Sequence, residues 1–188
     1  MFKKNGVIFT PFIHKFALFK EIKMINIVLI EPEIPQNAGN IIRTCAVTGA
    51  KLYMVRPLGF SLDDKHYKRA GLDYFDKSNI TIVNTFDEIK KIFKDVPIYY
   101  ASTKGQKRYC DVDFTSGDCV ICFGRESYGI REDILKDNYD NCIRIPMKEN
   151  LRSLNLSNSV AIVLYEALRQ NNFVGLETKG QLTGRKED

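Results

Sequence analysis

"IRIPMKENLRSLNLSNSVAIVLYEALRQ", residues 143–170, sets an apolar strand before a polar loop, then a helix that opens on Asn155, Ser157 and Asn158 among leucines. Amides and a hydroxyl at the mouth of an apolar helix need partners, because an unmade buried hydrogen bond costs about 1–3 kcal/mol. Two readings are open on the residues alone. These groups cap the last helix, or they hold a neighbouring loop or ligand in place.

Working outward, the chain from Met24 alternates strand and helix. "INIVLI" (25–30) is a short apolar strand, and "IPQNAGNIIRTCAVTGA" (34–50) reads as a loop and helix. "KLYMVRP" is strand-like, and "SLDDKHYKRAG" (61–71) reads as a polar helix with Ser61 as its N-cap. "ITIVN" is a strand. "TFDEIKKIFKD" (85–95) carries Phe86, Ile89 and Phe93 at helical spacing. "PIYYAST", "CVICFG" and "CIRIPM" are further strands, and a long helix covers Asn155 to about Gln170. Near-continuous apolar strands alternating with helices predict an α/β fold, a mostly parallel sheet with helices on both faces.

In such sheets ligands collect at the carboxyl ends of the strands. Three of those ends carry unusual chemistry: "ASTKG" (101–105), "FGRESYG" (123–129) and "IPMKENLRSLNLSN" (145–158). The first strand–helix turn, "EPEIPQNAGN" (31–40), contains two prolines and no G-x-G-x-x-G, and no Walker GxxxxGK[ST] occurs anywhere. Dinucleotide and ATP sites of those types are disfavoured.

Composition bounds the rest. With 188 residues and 44% hydrophobic content, the chain can bury one well-packed core. The net charge of +5 invites a nucleic-acid partner, but five lysines against Glu21 put +4 of it in residues 1–23 and leave +1 for 24–188. An RNA partner must therefore rest on a local patch or on motifs. The densest core patch is Lys65, His66, Lys68 and Arg69, a solvated helix face or a grip for an RNA stem-loop. His66 by itself carries no metal or acid–base signal.

Five cysteines, odd in number, include one CxxC (Cys119, Cys122) inside an apolar strand. They read as free thiols in a reducing cytoplasm, with no metal site. Residues 1–23 read as a non-core leader, or else a basic RNA-binding arm; 24–174 is a single domain, and 175–188 a polar, fraying tail. No stretch approaches the ~18 apolar residues of a membrane span.

Taken together, "IPQNAGNIIRT", "FGRESYGI" and "IPMKENLRSLNLSNSVAIVLYEALRQ" resemble, in order and spacing, the three motifs of the SPOUT RNA methyltransferases. The opening "EPEIPQNAGNIIRTC" and the "DDKHYKRAGLDY" stretch are similar to the small single-domain members that methylate the ribose 2'-hydroxyl of the tRNA wobble nucleotide. The resemblance implies a C-terminal deep trefoil knot, which no pattern argument would propose. It also implies S-adenosylmethionine as methyl donor, no metal, and a homodimer with the tRNA site lying across both subunits.

Residue by residue, the resemblance implies a cofactor site of Ala101, Gly124, Glu126, Ile145, Met147, Ser153 and Leu154. Backbone groups around Ile145 and Met147 would read the adenine, with little ordering entropy to lose. Gly124 would allow a close backbone approach, and Glu126 would bond backbone of the cofactor loop. Arg43 and Asn155 are the implied catalytic residues. Arg43 is either a base that shares its proton load with an RNA phosphate, or a grip on that phosphate that sets the attack geometry; guanidinium stays protonated in proteins. Asn37 shapes the turn before the helix of Arg43 and touches RNA or the facing subunit, while Lys65 and Arg69 are the expected RNA contacts of the basic patch described above. The last helix, around Tyr165, is the implied dimer interface.

Overall fold

The computed structural model describes residues 23–61 and 80–182. Seven strands form one sheet: β1 (Ile25–Ile30), β2 (Lys51–Val55), β3 (Ile80–Val83), β4 (Ile98–Ala101), β5 (Lys107–Arg108), β6 (Cys119–Phe123) and β7 (Cys142–Arg144). Their order is β3-β2-β1-β6-β4-β7-β5, and every pairing is parallel. The expected parallel α/β sheet is present. The two-residue β5 at its edge carries no apolar alternation and has no signature in the sequence.

Parallel strands need crossovers, and four α-helices appear among the described residues: α1 (Pro35–Thr48), α2 (Phe86–Ile92), α3 (Glu132–Lys136) and α4 (Leu156–Gln170). Pro35 suits the first turn of α1, where its missing N–H costs nothing, and Gly49 closes the helix in the left-handed region at φ 76°. Between these ends Ala38, Ile41, Ile42 and Cys45 recur at helical spacing and are fully buried. Helix α4 buries Val160, Val163, Leu164, Ala167 and Leu168 in the same way, each such side chain contributing about 1.5–3 kcal/mol.

The sheet is covered on both faces. Ile25, Ile27 and Leu29 of β1 pack with α1 and α4 in one cluster, whereas Val28 and Ile30 join Ile89, Phe93 and Leu135 in another. All six residues of β1 are consequently buried, which is why it reads as an unbroken apolar run rather than an alternating one. The C-terminal end of α4 is pinned to the segment before β6: Gln170 Oε1 accepts from Phe114 N–H at 2.9 Å, and Asn171 Nδ2 donates to the Phe114 carbonyl at 2.9 Å.

From β1 the chain builds outward through β2 and β3, then crosses to the other side of β1 for β4 and β6. The reversal leaves a crevice at the carboxyl ends of β1, β6 and β4, the place where open α/β sheets take ligands.

Candidate active site

Three loops close around that crevice, and one carboxylate joins two of them. Glu126, just after β6, accepts from the backbone N–H groups of Glu33 (2.8 Å) and Ile34 (3.2 Å) and from Asn37 Nδ2 (2.9 Å). Helix α1 has no acidic residue in its first turn and no side-chain cap of its own. Glu126, about ninety residues away in sequence, sets a carboxylate at the positive end of the helix and accepts from the N-cap Ile34 and from Glu33 just before it. The sequence reading sends Glu126 to the cofactor loop; its bonds go instead to the entrance of α1.

The relay continues. Asn37, buried, accepts at Oδ1 from Asn155 Nδ2 at 2.9 Å. Asn155 Oδ1 in turn accepts from Ser157 N–H (2.9 Å), Ser157 Oγ (2.7 Å) and Asn158 N–H (3.3 Å). Asn155 is therefore a true N-cap of α4, and also the tie between α4 and α1. Both readings of the amides at the mouth of this helix hold, because the two ends of one side chain serve different partners.

Around this relay lies a cavity of about 580 Å³, within the ~300–1,000 Å³ usual for small-molecule sites. Ala101, Gly124 and Glu126 line it, as do Ile145, Met147, Ser153 and Leu154, with Asn37 and Asn155 at the junction. Chain segments far apart in sequence thus build one wall. Apart from the turn at 149–150, the backbone from 147 to 154 makes no hydrogen bond among the described residues. This stretch presents donors and acceptors that suit a heteroaromatic edge.

Gly124 allows a close approach, but to the chain itself. A Cβ there would lie 2.0 Å from the Gly129 carbonyl carbon and 2.2 Å from Ile130 N. The 125–129 turn, closed by the Arg125 and Gly129 bridge, folds back on this spot. Two further contacts fasten it to the β1–α1 loop. Arg125 pairs with Glu31, and Ser127 donates through N (3.0 Å) and Oγ (2.8 Å) to Glu33. Glu31 itself sits at φ 54°, where a non-glycine residue is strained.

Glu33, Ser127, Lys104 and Arg152 also line the cavity. None was singled out from the sequence, although all fall within the quoted motif stretches. The one available signal was "EPE", two carboxylates flanking a proline next to a strand end.

Arg43 lies elsewhere. It is exposed on α1, six residues beyond Asn37, so about 9 Å further along the helix axis, and it is not part of the cavity wall. Lys65 and Arg69 fall outside the described residues. Tyr165 is 47% exposed and Ile162 37% exposed, one turn apart on the face of α4 turned away from the core.

The thiols are free, with Cys110 exposed and the other four buried. Cys119 and Cys122 belong to opposite core clusters, so the CxxC spans the sheet and cannot converge on one ion. Burial pushes the Cys45 and Cys119 thiols up to about 12. No group of three or more metal-binding side chains occurs among the described residues. None of their helices is long and apolar enough to cross a membrane.

Residues 24–165 match the SpoU rRNA Methylase family. A tRNA (cytidine(34)-2'-O)-methyltransferase of Methylovorus glucosotrophus is 47% identical over 154 residues, covering 81% of this chain and 99% of that one. A solved structure reported for the 2-OH methylation of C/U34 on tRNA superposes with a TM-score of 0.75 at 38% identity, covering 80% of this chain and 97% of the other. The AdoMet-bound rRNA methyltransferase of Sinorhizobium meliloti gives a TM-score of 0.70 at 26% identity, over 78% of this chain and 56% of that one.

Proposed function

The chain belongs to the SpoU rRNA methylase family, and on that premise we propose that it methylates the ribose 2'-hydroxyl of the wobble nucleotide, cytidine or uridine 34, in tRNA. The observation that carries this reading is the convergence of the three motif stretches on one cavity, in a chain nearly half identical to a relative named for that reaction.

S-adenosylmethionine is the methyl donor. When bound, its sulfonium would supply an activated methyl group for the 2'-oxygen, with the hydroxyl proton passing to solvent and S-adenosylhomocysteine as the other product. The residues present fit such a cofactor: the largely free backbone of 147–154 suits the adenine edge, and Ala101 and Gly124 form a wall without bulk. An AdoMet-bound relative of the same fold supports the assignment. Ser153 and Leu154 complete the cofactor loop, and Glu126 holds it against α1 through Asn37 and Asn155.

The chain's own task is orientation. Arg43 grips an RNA phosphate and sets the line of attack; its guanidinium remains charged and offers a bidentate fork. Its position outside the wall of its own cavity supports a site completed by a second copy of the chain, with the α4 face around Tyr165 at the dimer contact. Asn155 holds the methyl donor and α1 in register. Asn37, Lys65 and Arg69 contribute to the RNA face. The C-terminal segment carrying 147–170 is threaded as a trefoil knot, the catalytic domain spans 24–174, and the protein works in the cytoplasm.

Transfer of labelled methyl from S-adenosylmethionine to total tRNA tests the reading, with Arg43→Ala alongside. Label on tRNA that is lost in the variant supports it. Label on ribosomal RNA alone would keep the enzyme and reject the substrate.

A further inference from the structure

Three cations line the cavity, and they differ in what they touch. Lys104 is paired with Glu132, and Arg125 with Glu31. Arg152 is exposed and has no hydrogen bond or ion pair among the described residues. Lys148, four residues earlier on the same loop, is likewise exposed and unpartnered, with Glu149 the one carboxylate between them.

The helix ends sharpen the contrast. Across the cavity, the N-terminus of α1 is covered by the Glu126 carboxylate. The N-terminus of α4, next to Arg152, has no acidic residue in its first turn and only the neutral amide of Asn155 as a cap. One rim is thus compensated by carboxylates, while the rim carrying Arg152 keeps an uncompensated positive field. Leaving an arginine unpaired there keeps its fork open for an incoming anion.

A ribose delivered for 2'-O-methylation brings such an anion with it, since the 2'-hydroxyl neighbours the 3'-phosphodiester of the same nucleotide. We propose that Arg152 binds the phosphodiester beside the methyl-accepting ribose, with Lys148 adding to the attraction along the strand. Arg152 is then a substrate-gripping residue on the cofactor loop itself, and couples RNA docking to the segment that holds the methyl donor. The proposal rests on the tRNA methyltransferase reading above.

The test compares the full-length protein with its Arg152→Ala and Arg152→Lys variants in three measurements: calorimetric affinity for S-adenosylmethionine, KM for tRNA, and tRNA binding across a salt series. Arg152→Ala should weaken tRNA binding about tenfold, the loss expected for one charge-assisted contact. The slope of log affinity against log salt should fall by about 0.7–0.9, one phosphate contact fewer. Cofactor affinity should stay within about twofold of wild type, and Arg152→Lys should restore the slope but not the full affinity. Unchanged tRNA binding and slope in Arg152→Ala would overturn the proposal. So would lost cofactor affinity with intact tRNA binding, which would assign the guanidinium to the cofactor's carboxylate. A wild-type protein that neither binds nor methylates tRNA would instead remove the enzymatic reading itself.

Discussion

Replacing Glu126 by glutamine keeps the shape of the side chain and removes its charge, so it isolates what the carboxylate does. Oε2 serves Glu33 N–H alone, while Oε1 serves both Ile34 N–H and Asn37 Nδ2. An amide can keep only one acceptor. Turned one way it loses one bond, turned the other it loses two, and in either case an NH₂ faces an N–H donor. A hydrogen bond to a charged group contributes about 1.5–3 kcal/mol, and the lost negative charge at the helix N-terminus adds a few tenths. For this half-buried position we expect about 2–3 kcal/mol in all. In a chain of 188 residues that corresponds to a fall in Tm of about 4–12 °C. Circular-dichroism melts at one fixed protein concentration measure it, since association would otherwise shift Tm. Asn37→Ala and the double variant complete a cycle, and their coupling should reach about 1 kcal/mol because the two side chains share a bond. A Glu126→Gln protein melting within about 1 °C of wild type would refute the relay as a stabilising element.

Three further outcomes follow from the same geometry. Gly124→Ala forces a Cβ onto the Gly129–Ile130 backbone; the 125–129 turn must move, and calorimetry should show cofactor binding lost or weakened at least tenfold, with about 1–3 kcal/mol of stability. Asn155→Asp keeps the acceptor that caps α4 but not the Nδ2 donor to Asn37. It should lose methyl transfer and about 1–3 kcal/mol of stability from the unpaired Asn37 oxygen, whereas Asn155→Ala should also lose about 1 kcal/mol of cap. Finally, burial raises the Cys45 and Cys119 thiols from 9.0 to about 12. A raised folded-state value means full stability below about pH 9 and progressive loss between 9 and 12. Urea unfolding at pH 8, 10 and 11 should show that decline, and Cys45→Ala should flatten part of it.

The layers of this fold were legible because periodicity is local. Ala38, Ile41, Ile42 and Cys45 announce a helix face, and the unbroken apolar run of β1 announces a strand buried on both sides. The candidate site was legible as three motif stretches, but not as a set of bonds. Glu126 meets α1 across 89 residues and Asn155 meets Asn37 across 118, and no local pattern encodes such a distance. The 125–129 turn was equally hidden, since its hold on Glu31 and Glu33 depends on a strained backbone that sequence alone does not display. Sequence reading singled out Gly124 for the approach of a ligand, whereas the neighbour that fills its missing side chain is the chain's own turn. Arg152 carries no local signature for a different reason: what distinguishes it is the lack of a partner among the described residues, and partners are visible only in three dimensions.

Methyl transfer to the wobble ribose can be read directly on the RNA. Purified protein is incubated with tRNA lacking its own modification and with labelled S-adenosylmethionine, and the product is digested and mapped by mass spectrometry. A single 2'-O-methyl mark on cytidine or uridine at position 34 is expected, absent when Arg43→Ala replaces the wild type. A mark on a base, at another nucleotide, or unaffected by Arg43→Ala would contradict the proposed reaction.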